Sequence, residues 1–293
     1  MKRECLPIPV PHHLREQFVM SDDFLPRMRE RGWSVAASRP VYTDPEVIRQ
    51  PWLVCPTGAC YSDHAFYSLF GITCFRKLLR TALLRAPCPI QVFASICSNI
   101  LELETYLAFL QDQELLQVDG HLCRRGTRLF RVQDIGHTLE WYVAEWFRFT
   151  QSHFHLIRAR HGVTFHRSLE IGDIDVVALL DPWTIIIECK SSSHISDQEF
   201  SLFLQRAYLL QPACAVLLID SPSLTLDGPI RRLNRLLLSG NTQKQLAPLP
   251  SLRGVWGAEA LYVTSVSQSL DESLTWVLRA MERNEDKKQS LLP

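Results

Sequence analysis

The stretch GDIDVVALLDPWTIIIECK, Gly172 to Lys190, decides the fold. It reads as two apolar strands rich in Val, Ile and Leu, joined by a tight turn at Asp181-Pro182-Trp183. Besides Asp181 in the turn, four charged residues interrupt it: Asp173, Asp175, Glu188 and Lys190. Side chains alternate along a strand, so Asp173 shares a face with Asp175, and Glu188 with Lys190. If Asp181 and Pro182 flank the midpoint of the turn, Asp175 falls opposite Glu188. If proline takes the second turn position, which its fixed φ favours, Asp175 falls opposite Lys190. Either register sets Asp175, Glu188 and Lys190 on one face. A buried charge is costly unless paired or bound to a cation. Two converging carboxylates with an amine beside them therefore predict a site for a hard divalent ion, Mg²⁺ or Mn²⁺. The competing reading is a salt bridge on a solvent-facing sheet. The continuously apolar strand CAVLLIDS (214–221) argues against it, because it implies burial on both faces.

Outward from this hairpin, residues 134–285 read as one α/β unit. DIGHTLEWYVAEWFRFTQ (134–151) is an amphipathic helix and HLIRARHGVTFHRSL (155–169) is strand-like. SDQEFSLFLQRAYLLQPA (196–213) is a helix, with Ser196 as N-cap and Glu199 three residues on, a capping box. GPIRRLNRLLLSG (228–240) is a helix ending at Gly240, ALYVTSVS (260–267) a late strand, and SLTWVLRAMERNE (273–285) a closing helix. Residues 286–293 read as a frayed tail. Residues 71–133 carry three helical patterns, the third capped by Asn99, then two short strands around Asp119-Gly120 with a basic tip at Arg124, Arg125 and Arg128. That order is winged-helix-like, and such modules place a helix in the major groove and the wing on phosphate. The third helix is acidic (Glu102, Glu104, Glu114), which weighs against DNA reading and toward packing or dimerisation. Residues 1–70, proline-bearing and weakly periodic, read as an irregular segment and a candidate docking surface for a protein partner. Cys55, Cys60 and His64 have the residue types of a zinc site but not its spacing, with Cys74 the nearest spare ligand.

The bulk numbers suit a globular chain: 293 residues, 46% hydrophobic, 21% charged. A net charge of +0 provides no global field for nucleic acid, so any such surface is a local patch. Arg158 and Arg160, alternating along the first strand of the unit, are candidates for backbone phosphate contact. His153, His155, His161 and His166 cluster around that strand and read as structural. No apolar run reaches bilayer length and no secretory leader is legible. Nine scattered cysteines fit reduced thiols, so a cytoplasmic location without membrane contact is expected. Lysine occurs only at positions 2, 77, 190, 244, 287 and 288, which makes Lys190 inside an apolar strand the more notable.

Asp175 followed by Glu188-Cys189-Lys190 on the next strand resembles the PD-(D/E)XK nuclease signature. Glu140, in GHTLEWYV on the preceding helix, matches the acidic residue many members place there. The order helix, strand, strand with Asp, strand with Glu-x-Lys, helix, strand covers residues 134–220. It is most similar to the nuclease half of CRISPR ancillary nucleases, in which a winged helix also precedes the nuclease core. The resemblance implies a restriction-endonuclease-like α/β core, a mixed central sheet flanked by helices. It implies metal ligation by Asp175, Glu188 and the Cys189 carbonyl, water activation or positioning by Lys190, and orientation of the attacking water or support of a second ion by Glu140. Gln205 and Tyr208, on the helix after the motif, correspond to a glutamine-tyrosine pair that faces the site in some members. The expected function is metal-dependent phosphodiester hydrolysis, of DNA rather than RNA; many relatives work as dimers, which makes a homodimer one option for a chain whose oligomeric state the sequence leaves open. The alternatives are an inactive nucleic-acid-binding or assembly protein, and a subunit that cuts only inside a defence or transposition complex.

Overall fold

The computed structural model describes residues 24–39, 60–132, 134–149, 158–165, 172–192, 194–221, 225–240, 245–249, 252, 254–266 and 269–290. In chain order the first elements are α1 (Phe24–Glu30), β1 (Val35–Arg39), α2 (Cys60–Phe70), α3 (Thr73–Arg85), β2 (Cys88–Pro89), α4 (Ile90–Ala94), α5 (Ile100–Asp112), β3 (Leu116–Asp119) and β4 (Leu122–Arg125). There follow α6 (Gly136–Phe149), β5 (Arg158–Phe165), β6 (Ile174–Leu180), β7 (Trp183–Lys190), α7 (Asp197–Leu210), β8 (Cys214–Ile219), α8 (Asp227–Ser239), β9 (Ala247–Pro248), β10 (Val255–Ala258), β11 (Leu261–Ser265) and α9 (Leu270–Ser290).

The central sheet runs β1-β5-β6-β7-β8-β11-β10-β9. It is mostly antiparallel, with β7–β8 and β8–β11 parallel. The class is therefore mixed α/β, a large sheet flanked by helices. Alternation along the inner strands feeds two cores. Val176, Ala178, Leu180, Ile185, Ile187, Val216 and Leu218 pack on one face with α3, α5, α6 and α9. Val177, Leu179, Ile186, Ala215, Leu217 and Ile219 pack on the other with α1, α7 and α8. Strands covered on both faces need apolar residues at every position, which explains why β6 to β8 read as runs rather than alternations.

The segment read as irregular departs from that expectation. Within residues 1–70 the chain forms α1, β1 and α2, and β1 extends the central sheet by pairing with β5. Proline density misled the reading. Pro26 sits in the first turn of α1, where its missing N–H has no intrahelical acceptor to lose. Arg31, just after α1, clasps the β6–β7 turn: its guanidinium donates to the Trp183 carbonyl (2.8 Å), the Thr184 hydroxyl (2.6 Å) and the Asp181 carboxylate. At the other end, α9 is helical through Ser290, so most of the stretch read as a frayed tail continues a helix. Two short strands, β9 and β10, escaped the sequence reading. The Cys55/Cys60/His64 grouping lies outside the described side chains, as do His153, His155 and His166; His161 is fully buried in β5.

Elements α3 to β4 carry a second, three-stranded sheet ordered β2-β4-β3 and share their hydrophobic core with one face of the central sheet. A buried ion cluster fastens them to the central sheet. Arg76 of α3, with no exposed surface, donates to both oxygens of Asp220 (2.7 and 3.3 Å) and to the Phe70 carbonyl (2.6 Å). Arg80, one turn on, joins the same carboxylate at 2.7 Å. Asp220 follows β8, and its own N–H donates to the Lys190 carbonyl at 2.8 Å. The helical unit is thereby tied to the end of the strand that carries the candidate site.

Candidate metal-dependent catalytic site

The β6–β7 ladder fixes the register left open by the sequence. Leu180 pairs with Trp183 and Val176 with Ile187. One further step at that offset sets Asp175 against Glu188, the arrangement in which Asp181 and Pro182 flank the turn midpoint. Arg31 holds that turn from outside. Asp175 Oδ2 accepts the backbone N–H of Cys189 at 2.7 Å, which brings its carboxylate between Glu188 and Lys190. Gly172, just ahead of β6, turns the chain with φ of +71°, and a Cβ there would come within 3.2 Å of the Arg206 guanidinium.

Glu188 is buried (5% exposed) yet holds two cations. Its Oε1 lies 3.0 Å from Lys190 Nζ, and its Oε2 accepts from Arg206 Nη1. Lys190 also lies 3.2 Å from Glu199 Oε1. Glu199 Oε2 closes the capping box, accepting the Ser196 N–H (2.7 Å) and hydroxyl (2.9 Å). Glu199 and Arg206 stand seven residues apart on α7, so they project from one face two turns apart. Glu140 on α6 is buried and its Oε1 lies 3.1 Å from His137 Nδ1.

The electrostatics follow. Burial pushes the Asp175 carboxyl well above its ordinary range, and the charges of Glu188 and then Glu140 push it further, against the opposing Cys189 N–H and Lys190. The Cys189 thiol is likewise driven up, by burial first and then by Asp175 and Glu140. These couplings bring Glu140, Asp175 and Glu188 within electrostatic reach of one another. Lys190 shifts opposite to a lysine that is buried without partners. Burial in apolar surroundings does lower its pKa, but Glu188, Asp175 and Glu199 outweigh it and the net shift is upward. The amine is a held cation, not a depressed base.

The structure thus sets Asp175, Glu188 and Lys190 at one end of β6 and β7, with Glu140 on α6 near enough for its charge to raise the Asp175 pKa, although the oxygens of the three carboxylates are not all within 4.8 Å of one another. Arg206 and Glu199 join them, unassigned by the sequence reading. Gln205 and Tyr208 do not face the site: both are exposed on α7. The signal that selects Arg206 was present, since it continues the buried stripe of Phe200 and Phe203. Arg158 and Arg160 are partly exposed on β5, opposite Leu179 and Val177. Of the basic tip, Arg124 is exposed and Arg128 partly so, while Arg125 donates back to the Leu83 carbonyl of α3, which removes it from the tip.

No family model matches the chain, and no curated protein matches it. Among solved structures, the crystal structure of protein VC1899 from Vibrio cholerae is similar at 15% identity and a TM-score of 0.38, over 83% of this chain and 58% of that one. The chain spans less than two thirds of that protein's length, and at that TM-score the likeness assigns neither a fold family nor an activity. Among the described residues, no helix is long and apolar enough to cross a membrane.

Proposed function

We propose that the protein is a metal-dependent nuclease that hydrolyses phosphodiester bonds, in DNA more readily than in RNA. The observation that carries this reading is Asp175: a partly buried carboxylate held by a backbone N–H, with Glu188 and Glu140 as the charges that oppose its ionisation. Such a cluster suits a divalent cation, whose charge relieves the repulsion and whose preference is for oxygen donors. Asp175, Glu188 and the Cys189 carbonyl would hold Mg²⁺ or Mn²⁺, which would polarise the phosphoryl oxygen and lower the pKa of an attacking water. Lys190, kept protonated by its carboxylate neighbours, acts by neutralising charge that builds on the phosphate in the transition state. Glu140, oriented by His137, accepts a proton or positions the water. The order helix, strand, two helices, two strands in residues 73–125 supports a winged-helix module ahead of a nuclease core, and the exposed Arg124 supplies it with one phosphate contact.

A second reading is favoured by one feature: Arg206 and Lys190 already satisfy Glu188 within the chain. In that reading the cluster is an internal ion network of an inactive nucleic-acid-binding or assembly protein. One assay separates the two. Purified protein is incubated with single- and double-stranded DNA and RNA in Mg²⁺, Mn²⁺ or EDTA, beside Asp175→Ala and Lys190→Ala. Cleavage that needs the ion and disappears in both variants supports the nuclease; binding without cleavage under every condition supports the network.

A further inference from the structure

A second cluster of metal-ligating side chains lies in the helical unit, apart from the carboxylate site. Cys74 is in the first turn of α3, Cys97 follows α4, and Glu102 is in the first turn of α5. One ligand atom from each lies within 4.8 Å of the other two. We infer that Cys74, Cys97 and Glu102 form a binding site for a thiophilic divalent cation of the zinc class.

The distances favour this ligand. The two sulfurs are 3.7 Å apart. A tetrahedral ion with metal–sulfur bonds of about 2.3 Å spaces its sulfurs about 3.8 Å apart. A disulfide would bring them to about 2.05 Å. The carboxylate is held in place as metal-bound carboxylates are: Glu102 Oε2 accepts the Ser98 N–H at 2.7 Å, and Oε1 accepts the Tyr106 hydroxyl at 3.0 Å. Each oxygen keeps a lone pair for a cation. Asn99, the cap of α5, accepts the Glu102 N–H at 2.9 Å, which sets the backbone that carries this side chain. All three residues are partly exposed, so an ion can reach them and a water can complete four-fold coordination. Two thiolates and a carboxylate select zinc over magnesium or calcium, whereas the site around Asp175 offers oxygen donors. The three ligands come from two stretches of the chain, Cys74 from α3 and Cys97 with Glu102 from the link into α5 and its first turn. The ion therefore cross-links α3, the α4–α5 link and α5, and binding stabilises the folded form.

The test uses the full-length, reduced, metal-stripped protein titrated with Co²⁺. Thiolate-to-cobalt charge-transfer absorption is expected, saturating at one equivalent per chain and displaced by Zn²⁺. Cys74→Ser and Cys97→Ser abolish it. Cys214→Ala, a buried thiol in β8, leaves band and affinity unchanged. Glu102→Gln, which keeps both thiols, weakens Co²⁺ binding by at least about tenfold. That variant decides the matter if a serine variant fails to fold. Absence of the band in the wild-type chain, its persistence in both serine variants, or unaltered Co²⁺ affinity in Glu102→Gln overturns the inference. None of these outcomes depends on whether the protein cuts nucleic acid.

Discussion

Asp175 is where local chemistry and strand geometry meet. Its carboxyl titrates above the ordinary range because burial, then Glu188 and Glu140, oppose its charge. Folding thus favours the protonated form. The stability this group contributes is complete below the unfolded-chain pKa, about 3.9, and is lost as pH rises through the raised native value. Without divalent ions, Asp175→Asn should therefore melt at a higher temperature than wild type at neutral pH, and the two curves should converge as pH falls below about 4. Thermal scans across pH in EDTA check it; a variant less stable at neutral pH would show that Asp175 is favourably ionised. Asp175, Glu188 and Lys190 were legible because a two-residue period and one turn suffice to place them. Their protonation was not legible. Apolar neighbours alone would depress a lysine, whereas Glu188 beside it, Asp175 across the hairpin and Glu199 from the following helix hold the amine charged. Arg206 was legible only as a polar continuation of the stripe begun by Phe200 and Phe203; its partner Glu188 lies on another element, which the local pattern does not reveal.

Helix α7 carries half of the ion network on one face, so its first turn matters to the site. Ser196 caps the Glu199 N–H (3.2 Å), and Glu199 returns the bond while also contacting Lys190. Ser196→Ala should cost about 1 kcal/mol in urea unfolding, and Ser196→Asp should recover most of it. Equal stability of all three proteins would mean that the cap contributes nothing. This box was readable from Ser-x-x-Glu ahead of an apolar run. Long periodic elements such as α6, α7 and β6 to β8 were readable for the same reason: the pattern is local. Strand β1 was not, because its partner β5 lies far along the chain and its side of the pairing is irregular, with register shifts. Nor was the β6–β7 register, which an arginine from outside the hairpin helps to fix.

At the scale of the whole molecule, the helical unit and the central sheet meet at Asp220. Its carboxylate is 1% exposed and accepts from two arginines of α3. Removing one partner of a buried ion pair strands the other, at a typical cost of 3–5 kcal/mol. Asp220→Asn should lower unfolding stability by about 3 kcal/mol. Because the Asp220 backbone also holds Lys190, the change should weaken ion binding at the candidate site as well. Denaturation followed together with Mn²⁺ affinity checks both effects. Nothing near Asp220 in the sequence announced this contact, since Arg76 and Arg80 are far away in the chain and their helix reads as an ordinary amphipathic one.

The central claim is that carboxylates from α6, β6 and β7 converge on a seat for a hard cation, and a Mn²⁺ binding isotherm tests it most directly. The account predicts one tight Mn²⁺ per chain, displaced by Mg²⁺ and lost in Asp175→Ala. Binding should be stronger in Arg206→Gln, where no guanidinium competes for Glu188. Superimposable isotherms for wild type and Asp175→Ala would contradict it.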